Sequence, residues 1–174
     1  MNRYFIVFIV FALVMVWTNE WCKVNINYQL MMRDRFQEFD HLTLEKKLEI
    51  KKFQADTAPY AMIYSHSDWN WFYEQDRSFW TMSKWIIPIV FTLSFALLEW
   101  WMLPFCFQSV EVKRNWIVLY YLALIVLVLL MYALSKATDD LIFQNIGRKV
   151  WMILQSPSFF VLVLIDQWRR KYEN

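Results

Sequence analysis

Apolar residues along this chain are pooled into four long runs instead of alternating with polar ones. Residues 117–134 are 18 consecutive positions without a charge or a side-chain amide. At about 1.5 Å per residue, such a run is long enough to cross a hydrocarbon layer about 30 Å thick. A helix that is apolar on every face needs a membrane or a large protein interior around it. A chain of 174 residues has too little other mass to bury it, so we expect a transmembrane helix over 115–136.

Three further runs predict three further helices. Residues 85–107 carry one charged side chain, Glu99. Residues 150–165 carry no charge, and their polar residues are one Gln and two Ser, which lie around Pro157. We expect transmembrane helices over 85–107 and 149–168. The first run, 4–17, has 14 residues after a short basic start, a pattern that secretory signal peptides share. No small-x-small cleavage site follows it, so we expect an uncleaved transmembrane anchor over 1–22.

The pattern therefore predicts an all-α membrane protein with four transmembrane helices. A mainly helical extramembrane segment of roughly 65 residues, 23–84, connects the first two. Pro59 breaks this segment, because the residue before a proline is driven out of helical geometry. Beyond it, Ser67 is suited to begin an interfacial helix over 67–83 that carries one aromatic stripe. We expect this stripe to contact the membrane surface or a partner protein, through Trp69, Phe72, Tyr73, Phe79 and Trp80.

Charge predicts the orientation of the helices. Four spans place both chain ends on one side, which carries six basic residues in short segments, whereas 23–84 is balanced with nine basic and nine acidic residues. By the positive-inside rule, we expect both termini on the cytoplasmic side of a bacterial inner membrane or the matrix side of a mitochondrial inner membrane. The basic tail, 169–174, is expected to contact anionic lipids. Its basic residues are Arg169, Arg170 and Lys171.

The run 95-FALLEWWMLPFCF-107 holds the one candidate for chemistry inside a span. A carboxylate there is either a functional group or a marker of the membrane boundary. Trp100 and Trp101 follow Glu99 directly, and such pairs favour the headgroup level. We interpret Glu99 mainly as lying just beneath the inner interface, where it reaches water or pairs with Lys113 or Arg114. The alternative is a buried functional group or an inter-subunit contact.

The remaining residue types argue against most enzyme classes. Cys22 and Cys106 are expected at opposite membrane faces, too far apart for a disulfide, and no CxxC pair occurs. His41 and His66 both fall in the extramembrane segment, which leaves the helix bundle without an imidazole for haem. A single glycine excludes a glycine-rich phosphate loop. We therefore expect no catalytic, cofactor-binding or metal-binding residues and no nucleic-acid partner.

The last third of the chain carries a recognisable pattern. An apolar helix from Leu119 is followed by a polar loop that ends in Arg148 and Lys149, a helix with a central proline, and a Trp-plus-basic end up to Lys171. Over about 50 residues this pattern resembles the C-terminal half of small membrane proteins encoded beside exosortases in Bacteroidetes. The resemblance implies an accessory component of a protein-sorting system and transfers no catalytic residues.

The sequence thus favours a non-catalytic accessory or assembly subunit of a larger membrane protein complex, of a respiratory or a secretion and sorting type. Its expected partners are membrane lipids and other membrane protein subunits. The alternative is a small membrane enzyme or transporter that uses Glu99 together with His41 and His66.

Overall fold

The protein is all-helical in a computed structural model that describes residues 3–36, 38–57, 69–107 and 114–173. The predicted all-α class is confirmed for these residues. Seven α-helices and one short 3-10 turn follow one another along the described chain. They are α1 Arg3–Arg35, the turn Phe39–His41, α2 Leu44–Thr57, α3 Trp71–Glu74, α4 Arg77–Cys106, α5 Arg114–Thr138, α6 Leu141–Leu154 and α7 Ser158–Glu173.

Three helices, α1, α4 and α5, are long and apolar enough to cross a membrane. The helices α6 and α7 pass the same test only as a pair, and a bend of 78° separates them. The structure therefore holds three candidate spans, or four if the bent pair counts as one. The expectation of a single helix over 149–168 is wrong, because the chain leaves helical geometry at 155–157.

Proline causes this interruption. Pro157 has no backbone N–H to donate and restricts the residue before it, so Gln155, Ser156 and Pro157 form a turn instead of continuing α6. The Gln155 N–H still reaches the carbonyl of Met152 at 3.2 Å, and the Ser156 N–H reaches that of Ile153 at 3.1 Å. A new helix, α7, then starts at Ser158. The Ser158 N–H reaches the carbonyl of Ser156 at 2.8 Å, and the Val161 N–H reaches that of Pro157 at 3.4 Å.

The chain divides into two compact units, 1–16 with 90–174 and 17–89, and α1 and α4 each contribute residues to both. The first unit has an apolar core of residues from α1, α4, α5, α6 and α7. The second unit has its own core, which includes Met32 of α1, Phe39 of the 3-10 turn, and Phe72 and Tyr73 of α3. The segment 23–84, which was expected to lie outside the membrane, therefore contributes to a core of its own.

Two helices near this unit differ in length from the expected elements. The helix α1 continues to Arg35, beyond the span expected over 1–22. The interfacial helix expected over 67–83 is interrupted, because α3 ends at Glu74 and Gln75 is extended, with φ −75° and ψ 147°. Residues 67 and 68 lie outside the described residues, as does Pro59. The helix α4 then runs from Arg77 without a break through the positions assigned to the second span.

Asp76 explains where α4 begins. Its carboxylate accepts a hydrogen bond from the backbone N–H of Phe79 at 2.9 Å, which satisfies a donor that the first turn of a helix leaves free. The Ser78 hydroxyl donates to the same carboxylate at 3.0 Å. These bonds, from Phe79 first and Ser78 second, lower the pKa of Asp76 below its ordinary value of 3.8.

This cap predicts a pH-dependent stability. Because the pKa is lower in the folded state, the ionised cap stabilises the fold above about pH 4. That contribution is lost as the pH falls through the folded-state pKa. We expect wild type to melt at a higher temperature than Asp76→Ala at pH 7, and the difference to shrink below pH 4. Thermal melts of both proteins across pH 2–7 measure it, and a difference that stays constant to pH 2 would contradict the assignment.

The helices α5 and α6 pack as a hairpin joined by two aspartates. Asp139 adopts the left-handed region with φ 52°, which aspartate tolerates better than most residues. Asp140 caps α6 by accepting from the N–H of Ile142 at 2.8 Å. The polar loop that was expected to end in Arg148 and Lys149 is consequently much shorter, since both residues belong to α6.

The only glycine of the chain lies where these two helices meet. A Cβ atom on Gly147 would stand 3.3 Å from Cβ of Met131 and 3.5 Å from the ring of Tyr132. We expect Gly147→Leu to force the hairpin apart and to lower the free energy of unfolding by about 1–3 kcal/mol. SDS-induced unfolding followed by circular dichroism tests this. Ala133→Leu, at an exposed position of α5, is the matched control and should change little.

Candidate functional site at Glu99

Glu99 lies on the buried face of α4. It shares that face with Phe95 one turn earlier and Leu103 one turn later, and all three side chains are 0% exposed. The spacing i, i+4 and i+8 keeps these residues on one side of the helix. The carboxylate is therefore enclosed by the first unit's core. The interpretation that Glu99 reaches water beneath the inner interface is wrong.

Both carboxylate oxygens are hydrogen-bonded inside the chain. Oε2 accepts from the hydroxyl of Tyr121 on α5 at 2.9 Å. Oε1 accepts from the backbone N–H of Phe160, the third residue of α7, at 2.9 Å. One side chain thus connects α4, α5 and α7.

The bond to Phe160 is a helix cap supplied by another helix. Because Pro157 interrupts the helix before α7, the N–H of Phe160 in the first turn of α7 takes its acceptor from another helix. The N-terminus of a helix also carries a partial positive charge, which favours a carboxylate. Glu99 thus provides an acceptor at the interruption between α6 and α7, and in its ionised state it also adds a complementary charge.

The contacts suit either protonation state of the carboxyl group. The N–H of Phe160 is only a donor, so Oε1 accepts from it in both states. The hydroxyl of Tyr121 is a donor to an ionised carboxylate and an acceptor from a protonated one. A glutamine at position 99 would satisfy both partners in the same way, with its carbonyl oxygen toward Phe160 and its amide N–H toward Tyr121.

Arg114 is not the partner of Glu99 that we expected. Its guanidinium lies over the ring of Trp100, 4.8 Å from the centroid, which is a cation–π contact. Lys113, the other expected partner, lies outside the described residues. Trp101 and Trp116 are largely exposed, as residues facing lipid headgroups would be.

A second buried polar cluster lies in the 17–89 unit. The guanidinium of Arg33 pairs with Oδ1 of Asp40 at 2.8 Å and donates to the side chain of Gln29 at 2.8 Å and to the carbonyl of Gln75. It also lies 5.2 Å from the ring centroid of Phe39. This cluster joins the end of α1 to the 3-10 turn and to the break before α4.

Lys47 completes the cluster from the side of α2. Its ammonium donates to the carbonyls of Tyr73 at 3.0 Å and Asp40 at 3.3 Å, and it lies 5.6 Å from the ring centroid of Phe39. Burial lowers the pKa of Lys47, and the charge of Arg33 lowers it further. Each buried cation thus has backbone acceptors, so the cluster is a structural connection between these elements.

The predicted aromatic stripe does not face outward as a whole. Phe72, Tyr73 and Trp80 are buried in the second unit's core and Phe79 is partly buried, so their assignment to an exposed contact is wrong. Trp69 is 65% exposed. The stripe is not exposed as a whole because the helix is interrupted at Gln75 and Asp76. The short α3 packs on the core of the second unit, and no continuous amphipathic helix forms.

The other predicted groups are placed as follows. Arg169 and Arg170 belong to α7 and pair with Asp166 at 3.6 and 2.9 Å. The side chain of Lys171 and all of residue 174 lie outside what the structure describes. His41 ends the 3-10 turn and is exposed, and His66 lies outside the described residues.

Metal binding has no support in the described ranges. No group of three or more His, Cys, Asp or Glu side chains is close enough there to hold an ion. Cys22 and Cys106 are free thiols.

Comparison with known proteins gives no family. The chain matches no protein-family model, no curated protein and no solved structure. The resemblance of the last third to exosortase-associated proteins therefore stays a prediction.

Proposed function

We propose that this protein is a non-catalytic accessory or assembly subunit of a larger integral membrane protein complex, of a respiratory or a secretion and sorting type. The proposal rests mainly on the hydrogen bonds and the burial of Glu99. Both of its oxygens are bonded within the chain and its side chain is closed to solvent, so the only carboxylate within the four apolar runs acts as a connector of helices.

The outer surface of the spans supports the same role. In the most apolar windows of α1, α4 and α5, only 17%, 28% and 17% of the residues are buried within the chain. Most residues of these windows are therefore not fully buried within the chain, and many apolar side chains, such as Leu13, Leu97 and Leu129, are exposed. Such surfaces suit lipid and the helices of other subunits, which associate in membranes through close packing. We place the protein in a bacterial or mitochondrial inner membrane, with both termini on the cytoplasmic or matrix side.

One observation favours the alternative, a small transporter. Broken helices with a charged group at the break are used by secondary transporters to bind ions and substrates. The interruption between α6 and α7, capped by Glu99, has this form. His41 is exposed on the 3-10 turn, and His66 lies outside the described residues.

Native mass spectrometry after purification from its own membrane in gentle detergent tests the proposal. The subunit role predicts a defined complex of constant stoichiometry with other membrane proteins. A protein recovered only as a monomer would contradict it. Cells that carry Glu99→Gln separate the two roles, because Gln keeps both hydrogen bonds. The subunit role predicts an unchanged complex and phenotype, whereas a transporter that binds cations or protons at Glu99 would lose its activity.

A further inference from the structure

An aromatic cavity of about 180 Å³ opens in the 17–89 unit. Apolar cavities of about 150 Å³ are large enough to stay free of water and to hold a molecule the size of benzene. The cavity is lined chiefly by indole and phenyl rings. They belong to Trp21, Trp69, Trp71, Phe72, Phe79 and Trp80.

The walls of this cavity differ in exposure. Phe72 and Trp80 are buried and their rings stack 5.6 Å apart, which makes a fixed inner wall. Trp69 and Trp71 are largely exposed. The indole N–H of Trp80 is buried and has no acceptor among the described residues. A buried donor without a partner is costly, so an acceptor oxygen brought by a ligand would be favourable there.

A smaller basic cavity of about 30 Å³ adjoins the aromatic one. The two share Ile26 and Ile87, and the smaller is also lined by Lys23 and Lys84. Lys23 pairs with Glu20 at 2.7 Å. Within the described part of the chain, no carboxylate lies within ion-pairing distance of Lys84.

Both lysines lie where the apolar runs end. Lys84 directly precedes Trp85, the first residue of the run over 85–107, and Lys23 follows the run over 4–17 by a few residues. Basic and aromatic residues at the ends of transmembrane helices lie at the level of the lipid headgroups. An apolar cavity beside a basic one at this level is complementary to a molecule with an apolar chain and an anionic head.

We propose that this pair of cavities binds one anionic phospholipid. One acyl chain fills the aromatic cavity, and the phosphate contacts Lys84 and Lys23. The ester oxygens next to the phosphate are the acceptors nearest to the N–H of Trp80. A whole helix of a partner protein is too large for a cavity of 180 Å³, and the lysines select a negative charge. The inference is independent of the proposed subunit role.

The test uses the full chain in nanodiscs that contain equal amounts of phosphatidylglycerol and phosphatidylcholine with identical acyl chains. Native mass spectrometry after release from the nanodisc counts the lipids that stay bound. Wild type should retain one phosphatidylglycerol in preference to phosphatidylcholine. Lys84→Gln should lower this retention about fivefold, the factor that corresponds to about 1 kcal/mol per basic residue.

A second variant tests the cavity itself. Ser83 lines the aromatic cavity and is only half-buried, so Ser83→Phe fills the space while Lys84 stays in place. It should abolish retention of the lipid. Lys136→Gln, at an exposed lysine near the end of α5, is the matched control and should bind as wild type does. Circular dichroism melts establish that each variant is folded.

Three results would overturn the inference. The first is equal retention of the two lipids by wild type, which would mean that the site does not select charge. The second is a loss with Lys136→Gln as large as with Lys84→Gln, which would mean general attraction to a basic surface. The third is full retention by folded Ser83→Phe, which would mean that the acyl chain lies elsewhere.

Discussion

Replacing Glu99 with leucine is expected to cause the largest loss of stability of any single substitution in the 90–174 part of the first unit. The change removes the acceptor of two buried donors, the hydroxyl of Tyr121 and the N–H of Phe160. Each buried donor left without a partner costs about 1–3 kcal/mol, so the sum is roughly 2–6 kcal/mol. The N-terminus of α7 also loses the side chain that caps it.

Glu99→Gln should keep most of this stability. Its carbonyl accepts from Phe160 and its amide donates to Tyr121, so we expect a loss below about 1 kcal/mol. SDS-induced or thermal unfolding of the variants in one detergent measures both losses. Leucine and glutamine variants of equal stability would contradict the capping role.

Thr92 provides a matched control on the same helix. Its hydroxyl is buried like the Glu99 carboxylate, but it has no hydrogen-bond partner among the described residues. Thr92→Val keeps the shape and removes only a hydroxyl that stabilises nothing. It should be neutral or slightly stabilising. A loss as large as that of Glu99→Leu would show that any change on this face of α4 is harmful.

The second large effect is expected at Arg33. Its side chain is 2% exposed, and Arg33→Met removes the charge that pairs with Asp40 and the donors that serve Gln29 and the Gln75 carbonyl. Breaking a fully buried ion pair from one side costs about 3–5 kcal/mol. Asp40 is 29% exposed and also accepts from the N–H of Arg77 at 3.0 Å, so its charge keeps part of its compensation and we expect a cost toward the lower end of that range. We therefore expect the 17–89 unit to unfold at a much lower denaturant concentration.

Two further variants make this prediction specific. Arg33→Lys keeps the charge but not the planar fork of donors, so its loss should be intermediate. Arg35→Met removes an exposed charge two residues later and should stay within about 0.5 kcal/mol of wild type. The rate of thiol labelling at half-buried Cys22, quantified by peptide mass, reports opening of this unit. Equal labelling of the Arg33→Met and Arg35→Met proteins would contradict a structural role for the Arg33 cluster.

The predictions that agree with the structure depend on residues that are close together in the sequence. The run over 117–134 is apolar on all faces, and its helix is observed over Arg114–Thr138. Local chemistry also explains the interruptions, since Pro157 precedes α7 and Asp76 precedes α4. A local pattern does not determine which of two compatible structures forms. The aromatic pattern over 69–80 suits one long helix as well as the short α3 followed by a new start.

No local sequence pattern predicts that Glu99 is buried. In a span that is apolar all round, no polar face distinguishes the side toward lipid from the side toward protein. Trp100 and Trp101 pointed to the interface, whereas the partners of Glu99 stand 22 and 61 positions further along the chain. A Ser-Pro-Ser interruption signals a helix start that needs a cap. Only the packing of three helices identifies which side chain provides it.

The sequence by itself determined the helical class, the apolar lengths that suit a membrane and the absence of familiar catalytic motifs, because these depend on residue type and on spacing within one helix. Only the tertiary structure decided that Glu99 caps α7, that Arg33 and Lys47 enclose Phe39, and that the aromatic residues expected at an outer surface form a core with a cavity. These features depend on which helices meet. The hydrophobic effect that drives such contacts is non-directional, so the identity of the partners follows from the shape of the whole packed chain.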